Sequence, residues 1–215
     1  MAEAAGRQGF RFPAFPLYPL ADSAAWVARL LDAGLEIVQL RLKTRPAAHP
    51  ELEIPRALAV ARRAGARLLV NGHWQLAMRE GAYGVHLSRV DWPGADLAAI
   101  RGAGLVLGAS VHSAIEIEQA LTLAPDYLTL GTVYPSPSKG RSAATLGLAA
   151  FAALRQTIPV PTAAIGGLTV DNAAPVLAAG ADAIAVISDL VATADLAARI
   201  DQWRALFSRS KAAPG

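Results

Sequence analysis

Three polar residues at alternate positions, Gln39, Arg41 and Lys43, are the first sign of chemistry in the sequence. Single leucines separate them, and a β-strand points successive side chains to opposite faces, so all three would share one face. An amide and two cations on one face suit a bound anion such as a phosphate ester. Solvated charges at the end of a strand would give the same pattern, so the anion site is a hypothesis.

A second candidate anion site is the pair Gly166-Gly167, which follows an apolar run and precedes a predicted helix starting near residue 172. Glycine lets backbone N–H groups approach a phosphate closely, and a helix start adds partial positive charge. Ser188, before the last predicted helix, could add a hydroxyl and an amide to the same site. The alternative is a tight turn followed by a serine that caps a helix.

The loop from Ser136 to Arg141 offers two hydroxyls, on Ser136 and Ser138, and two cations, of which Lys139 is the first. Such a loop could close over a diphosphate and exclude water during a reaction. An exposed loop rich in serine and proline is the alternative interpretation.

One acid and two histidines complete the candidates. Asp91 could hold Mg²⁺ if phosphate oxygens and water supply the other ligands, although a turn residue is the alternative. His112 follows Ser110 in a predicted loop and could donate a proton, accept one or orient a neighbour. His86 lies inside an alternating strand pattern, which is more typical of a core residue or of one that supports the site.

The elements that must position these residues alternate regularly along the chain. Eight strand–helix units predict a parallel (β/α)8 TIM barrel in a single domain, with a doubly wound open sheet as the alternative. We expect a flexible N-terminal tail over residues 1–12, the barrel over 13–208 and a C-terminal tail over 209–215. The predicted strands are 15–20, 36–41, 67–71, 82–87, 105–108, 127–130, 162–165 and 183–187; the predicted helices are 24–33, 51–64, 74–80, 96–103, 113–124, 148–156, 172–179 and 193–207.

Composition narrows the class of protein. The chain has 215 residues, of which 53% are hydrophobic and 17% charged, which is ample for one large core. A net charge of +3 without a basic run argues against nucleic-acid binding, and the lack of cysteine excludes disulfides and thiolate metal sites. No uninterrupted apolar stretch of about 18 residues is present, so we expect no membrane span and a cytoplasmic protein.

Six motifs in order, spread over roughly residues 15–200, resemble thiamine phosphate synthase. The resemblance implies a β/α barrel that joins hydroxymethylpyrimidine diphosphate to hydroxyethylthiazole phosphate and releases diphosphate with the help of Mg²⁺. Small phosphorylated molecules are then the expected partners, and a homodimer is a candidate assembly. The motifs are Gln39–Lys43, Leu69–Asn71, Gly84–Leu87, Gly131–Lys139, Ala164–Gly167 and Ala185–Ser188.

The resemblance also implies roles for individual residues. Arg41, Ser110, His112 and Lys139 are the expected catalytic residues, and Asp91 is the expected metal ligand. The pyrimidine diphosphate side would include Tyr18, Gln39, Arg41, Lys43, Asn71, Ser110, Ser136, Ser138 and Lys139, and the thiazole phosphate pocket would include Gly166, Gly167, Ile187 and Ser188.

Two departures from the synthase pattern leave the reaction open. Gly72 follows Asn71 where the family has a metal-binding aspartate, and Ser88 to Asp91 replace a Gly-Gln that precedes an acidic pair. Asn71-Gly72 and the segment around His112 instead resemble the thiazole tautomerase (TenI) group, which uses a histidine to move a proton. The chain is therefore expected to be a synthase, a tautomerase acting on a thiazole carboxylate phosphate, or a non-catalytic binder of thiazole or thiamine phosphate.

Overall fold

Eight parallel strands form a closed barrel in the computed structural model, which describes residues 9–42, 49–136 and 144–212. The barrel closes where β1 pairs with β8, with Leu17 opposite Ile184. This confirms the predicted (β/α)8 barrel and excludes the open sheet. The strands are β1 (Leu17–Ala21), β2 (Ile37–Leu40), β3 (Arg67–Asn71), β4 (Gly84–Leu87), β5 (Val106–Val111), β6 (Tyr127–Gly131), β7 (Thr162–Ile165) and β8 (Ala183–Val186).

In the described part of the chain, one α-helix follows each of the first seven strands, and two follow β8. The sequence pattern predicted one final helix over 193–207; the structure has a long helix over 196–212 in its place and a further short helix over 188–191, which was not predicted. A 3₁₀ turn, Arg89–Gly94, also follows β4. The helices are α1 (Ala24–Asp32), α2 (Pro50–Arg63), α3 (Trp74–Arg79), α4 (Leu97–Gly102), α5 (Ala114–Leu121), α6 (Gly147–Arg155), α7 (Ala174–Ala178), α8 (Ser188–Val191) and α9 (Leu196–Ala212).

Local sequence explains where α1 begins and how it packs. The Ser23 side chain accepts a hydrogen bond from the backbone N–H of Trp26, which satisfies one of the unpaired donors of the first turn. Val27, Leu30 and Leu31 then fall on one face and are buried against the barrel. Within the described residues no helix is long and apolar enough to cross a membrane.

An aromatic cluster fills the N-terminal end of the barrel. Phe10 is buried and stacks on Tyr127 with ring centroids 4.9 Å apart, and Phe12 meets the same ring edge-on at 5.5 Å. The packed part of the chain therefore begins by Phe10, earlier than the expected boundary at residue 13. At the other end, α9 continues to Ala212, so the helix takes in the first residues of the expected C-terminal tail.

Gly108 of β5 makes room for this aromatic cluster. Its neighbours in the sheet are His86 on one side and Tyr127 on the other. A Cβ at this position would overlap the Tyr127 ring. The missing side chain thus lets Tyr127 reach across β5 towards His86.

Gly108→Ala should destabilise the protein by about 1–3 kcal/mol, because the added methyl group forces the Tyr127 ring to shift in a packed interior. Gly102→Ala is the matched control, since Gly102 lies in α4 and an added Cβ there meets nothing within 4 Å. Alanine at position 102 should be neutral or stabilise by up to about 1 kcal/mol. Urea unfolding of both variants measures the difference, and equal effects would contradict the close packing at Gly108.

Candidate active site

A cavity of about 240 Å³ opens at the C-terminal ends of the strands. Eight of its lining residues are among those predicted from the sequence: Gln39, Arg41, Asn71, Ser110, His112, Ser136, Gly166 and Ile187. A smaller cavity of about 30 Å³ shares Ser136, Gly166 and Ile187 and adds Gly167 and Ser188. The barrel therefore brings ten predicted site residues together at one mouth.

The other predicted residues lie elsewhere. Tyr18 is completely buried beneath the cavity and does not line it, so it cannot touch a bound ligand directly. Asp91 lies in the 3₁₀ turn after β4, where its Oδ2 accepts a hydrogen bond of 2.8 Å from the backbone N–H of Ser88, a lining residue. Lys43, Ser138 and Lys139 lie outside the described residues.

A buried set of side chains joined by hydrogen bonds forms the floor of the cavity. Asn71 donates from Nδ2 to Oε1 of Gln39 at 3.2 Å, and Gln39 donates from Nε2 to the Tyr18 hydroxyl at 2.9 Å. The hydroxyls of Tyr18 and Tyr127 lie 2.7 Å apart. Asn71 is 2% exposed, and its Oδ1 has no hydrogen-bond partner among the described residues. An unpaired buried oxygen at the edge of a cavity is a place for a donor on a ligand.

The floor continues through His86 to the opposite side of the cavity. Nδ1 of His86 lies 2.8 Å from the Tyr127 hydroxyl, and Nε2 lies 2.7 Å from Oγ of Ser110. Thr129 also donates to Oγ of Ser110, at 3.2 Å. His86 is buried, as its strand position predicted, and it also lines the cavity.

Both phenols keep their protons at neutral pH. Burial raises the pKa of Tyr18 far above its ordinary value, although the hydrogen-bonding contacts with Tyr127 and Gln39 oppose the shift. Burial also raises the pKa of Tyr127, and the neighbouring Tyr18 adds to the effect. The floor is therefore polar but uncharged at these positions.

Arg41 is the one arginine or lysine among the described residues that line the main cavity. Burial lowers the pKa of its guanidinium, and the charge of Asp91 acts in the opposite direction. An arginine remains cationic at neutral pH under such a shift. The site thus holds one fixed positive charge, with a carboxylate close enough to stabilise it.

Within the described residues, Asp91 is the one predicted metal ligand. No group of three or more histidine or acidic side chains in that part of the chain could hold a metal ion. Gly72, where the synthase pattern led us to expect an aspartate, has φ +77° and donates its N–H to the His86 carbonyl oxygen at 3.0 Å. A cation at Asp91 would need most of its ligands from a substrate and from water.

The glycine pair after β7 forms a tight turn against the preceding loop. Gly166 and Gly167 have φ +103° and +64°, and a Cβ at Gly167 would overlap the Pro135 carbonyl oxygen. Asn172 holds the turn by donating to the Gly167 carbonyl at 2.9 Å and accepting from Thr169 N–H at 2.9 Å. The helix expected from residue 172 begins later, at Ala174, because Asn172 belongs to this turn.

Ser188 begins α8, and the next residue fastens that helix to α9. Asp189 accepts a hydrogen bond of 2.7 Å from the indole N–H of Trp203, and its other oxygen lies 3.8 Å from Arg199. Both oxygens of Asp189 therefore interact with side chains of α9 rather than with the backbone at its start. Asp195 caps α9 instead, accepting from Ala198 N–H at 3.0 Å.

His112 is held by a carboxylate at the cavity rim. Oε2 of Glu116 lies 2.9 Å from His112 Nδ1 and also accepts the His112 backbone N–H at 2.8 Å, while Arg89 donates to Oε1 at 2.9 Å. Ser113 caps α5 by accepting a hydrogen bond from the Glu116 backbone N–H, while the Glu116 carboxylate accepts the N–H of His112. This arrangement fixes the imidazole beside the cavity.

Sequence reasoning did not identify Tyr127, Thr129, Thr132 or Glu116 as part of the site. Thr129 could have been found, because it alternates with apolar neighbours in β6 as Gln39 does in β2. Nothing local marks Tyr127, since its contact with Tyr18 spans 109 positions and depends on how the barrel closes.

Known proteins resemble this chain in sequence and in fold. The family described as "Thiamine monophosphate synthase" matches residues 17–190. A thiamine-phosphate synthase of Klebsiella pneumoniae is 44% identical over 200 residues, covering 91% of this chain and 95% of that protein. One from Salmonella enteritidis is 43% identical over 199 residues, covering 90% and 91%. The structure of a thiamine phosphate pyrophosphorylase from Pyrococcus furiosus superimposes with a TM-score of 0.78 at 29% identity, covering 91% of this chain and 96% of that one.

Glu116→Gln should lower stability at neutral pH and have little effect in acid. Burial acts to raise the pKa of the Glu116 carboxyl, but hydrogen bonds from His112 and Arg89 outweigh it and lower that pKa below its ordinary value of 4.5. A lowered folded pKa gives stability that is present above the ordinary value and is lost as the pH falls through the folded pKa. We expect a loss of about 1 kcal/mol at pH 7 that shrinks towards zero near pH 3.

Urea unfolding at both pH values measures this loss for Glu116→Gln and for the control Glu118→Gln, an exposed glutamate of the same helix. The control should change stability by less than about 0.5 kcal/mol at either pH. A loss in Glu116→Gln that stayed constant with pH would contradict the ion-pair interpretation.

Proposed function

We propose a function for this chain on the basis that it belongs to the thiamine monophosphate synthase family, which matches residues 17–190. The chain is a transferase of the thiamine-phosphate synthase type and acts on small phosphorylated substrates. It joins hydroxymethylpyrimidine diphosphate to hydroxyethylthiazole phosphate and releases diphosphate. One observation carries this proposal: Gln39, Arg41, Asn71 and Ser110 line the same cavity as Gly166 of the turn after β7.

The reaction requires charge neutralisation and alignment more than proton transfer. The bond between the pyrimidine methylene carbon and the diphosphate oxygen breaks, and the electron pair leaves with diphosphate. The thiazole nitrogen then donates its lone pair to the resulting cation and forms the new C–N bond. Arg41 would stabilise the leaving charge as it develops, in a partly buried place where a guanidinium acts strongly. Holding both rings in one cavity brings the reacting atoms together and so lowers the entropic part of the activation barrier.

The turn after β7 and the start of α8 are proposed to hold the thiazole phosphate. Gly167 and Ser188 line the small cavity that adjoins the main one, and both can present backbone N–H groups to an anion. The separation of the two cavities matches the need to hold a monophosphate and a diphosphate at the same time. Ser136 and Gly166 line both cavities and so lie between the two phosphates in this arrangement.

Mg²⁺ is proposed to join the site together with the diphosphate. Among the described residues Asp91 is the candidate carboxylate, and its Oδ2 accepts the Ser88 N–H, which orients the group without removing its charge. Bound Mg²⁺ would supply further positive charge to the leaving diphosphate. With Gly72 in place of a second carboxylate, the substrate must provide more of the ligands than in relatives that carry an aspartate there.

Proton transfer by His112 is a second candidate, and one observation favours it. The imidazole lies at the cavity rim with Nδ1 held by Glu116, which is the arrangement of an oriented acid or base. It would serve a metal-independent tautomerase reaction on a thiazole carboxylate phosphate. Identity over nearly the whole chain to named synthases places the transferase reaction first.

Purified protein should release diphosphate and form thiamine phosphate when given both synthase substrates with Mg²⁺. Arg41→Met should reduce kcat/KM by about 10²–10³-fold, because a cation that stabilises leaving-group charge is removed. Arg63→Met, at an exposed position on α2, is the control and should keep wild-type activity. Conversion of the thiazole carboxylate phosphate without metal, and no diphosphate release from folded protein, would favour the tautomerase instead.

Asp91→Asn should raise the Mg²⁺ concentration needed for half-maximal rate by about ten-fold or more, because a charged ligand becomes neutral. Asparagine can still accept the Ser88 N–H, so the turn should remain intact. Asp96→Asn is the matched control, since Asp96 caps α4 through Ala99 N–H and asparagine caps equally well. A Mg²⁺ titration of the rate measures both variants, and an unchanged curve for Asp91→Asn would remove Asp91 from the metal site.

A further inference from the structure

The buried hydrogen bonds beneath the cavity form one continuous row across the barrel. The row begins at Asn71 and ends at Ser110, and both of these residues line the cavity. Between them stand Gln39, Tyr18, Tyr127 and His86, linked in that order by contacts of 2.7–2.9 Å. Because both ends of the row lie in one cavity, the direction of its hydrogen bonds decides whether each end offers a ligand a donor or an acceptor.

The amide groups fix the direction of the first half of the row. Nδ2 of Asn71 donates to Oε1 of Gln39, so Nε2 of Gln39 is the atom that faces Tyr18. An amide nitrogen is a donor only, so the Tyr18 hydroxyl oxygen accepts. Tyr18 is fully buried, and its own proton then has one acceptor within reach, the Tyr127 oxygen at 2.7 Å.

The same reasoning carries through the second half. Having accepted from Tyr18, Tyr127 gives its own proton to Nδ1 of His86, which must be unprotonated. The imidazole proton is then on Nε2 and points at Oγ of Ser110. Ser110 also accepts from Thr129, so both lone pairs of its oxygen are occupied. The Ser110 proton is left to donate to a ligand.

We propose that Tyr127 is a positioning residue that sets the direction of this row, so that the cavity presents the Asn71 carbonyl oxygen as an acceptor at one end and the Ser110 hydroxyl as a donor at the other. This inference rests on the proposed function and deepens it. The substrate must carry an N–H group towards Asn71 and an anionic oxygen towards Ser110. An aminopyrimidine diphosphate carries both, with its exocyclic amine and its phosphate oxygens.

The opposite tautomer is disfavoured by a buried group it would leave unpaired. If His86 carried its proton on Nδ1, Tyr127 would have to donate to Tyr18, and the Tyr18 proton would have no acceptor. An unpaired buried hydroxyl costs about 1–3 kcal/mol. Gly108 supports the same row of hydrogen bonds, because its missing side chain lets Tyr127 reach His86 across β5.

The imidazole tautomer of His86 tests the inference without any substrate. Long-range ¹H–¹⁵N correlation spectra of the labelled full chain distinguish the two ring nitrogens, and the His86→Gln spectrum assigns the signals. Wild-type protein should show the Nε2–H tautomer, and Tyr127→Phe should give a mixture or the other tautomer. An Nδ1–H or doubly protonated ring in the wild type, or an unchanged spectrum in Tyr127→Phe, would overturn the inference.

Steady-state kinetics then shows whether Tyr127 acts through Ser110. Tyr127→Phe keeps the ring that stacks on Phe10 and should reduce kcat about ten-fold, with KM for the thiazole phosphate within two-fold. Adding Tyr127→Phe to Ser110→Ala should cost nothing further, because the group being oriented is already gone. Independent losses that multiply in the double variant would contradict a positioning role.

Tyr83→Phe is the matched control, because Tyr83 lines a separate surface cleft near Arg67 and lies outside the row. Its activity and its histidine spectrum should match the wild type. The two proposals fail separately: a wild type that releases no diphosphate refutes the proposed function even where the tautomer is as expected. A wrong tautomer in an active enzyme refutes only the positioning role.

Discussion

Polar groups buried inside the barrel must each find a hydrogen-bond partner, and the form of the site depends on how they do so. A buried polar atom without a partner costs free energy comparable to a lost hydrogen bond, so a row of such atoms is stable only when nearly every member is paired. The row from Asn71 to Ser110 contains six side chains, and Oδ1 of Asn71 is the one polar atom among them that lacks a partner within the described residues. Pairing therefore fixes the geometry of the cavity floor, and the exception marks where a ligand supplies the missing partner.

The fold was largely predictable because the spacing of apolar residues and the positions of glycine and proline indicate the same elements along most of the chain. β3 (Arg67–Asn71) and β7 (Thr162–Ile165) match their predicted bounds, since Gly and Pro residues flank apolar runs of the right length. β5 runs three residues further than predicted, to Val111, because Ser110 was interpreted as the start of a loop and is in fact an inward-facing strand residue. The short helix α8 was missed, since its four residues leave no periodic pattern and the bond from Trp203 to Asp189 is visible only in the folded chain.

The site was predictable to the extent that it follows from strand alternation and from the barrel rule. Gln39 in β2, Arg41 just after it, and Asn71 and Ser110 on other strands converge because parallel strands in a barrel end at the same mouth. The support beneath them does not follow from either rule. Tyr18 and Tyr127 meet only because of the register of eight strands, and Gly108 gains its importance only from lying between His86 and Tyr127. Side chains that contact a ligand leave a local pattern, whereas those that orient them do so through pairings far apart in sequence.

The balance of charge constrains how the leaving group is stabilised. Among the described residues that line the main cavity, Arg41 supplies one positive charge, and Asp91 nearby offsets part of it. A diphosphate carries more negative charge than one guanidinium can neutralise, and Gly72 provides no carboxylate to hold a second cation. Neutralisation must then come from a cation that arrives with the substrate, or from Lys43 and Lys139, which the sequence places next to β2 and after β6. The neutral floor fits the proposed reaction, because uncharged donors and acceptors can orient a substrate without competing for a cation bound with it.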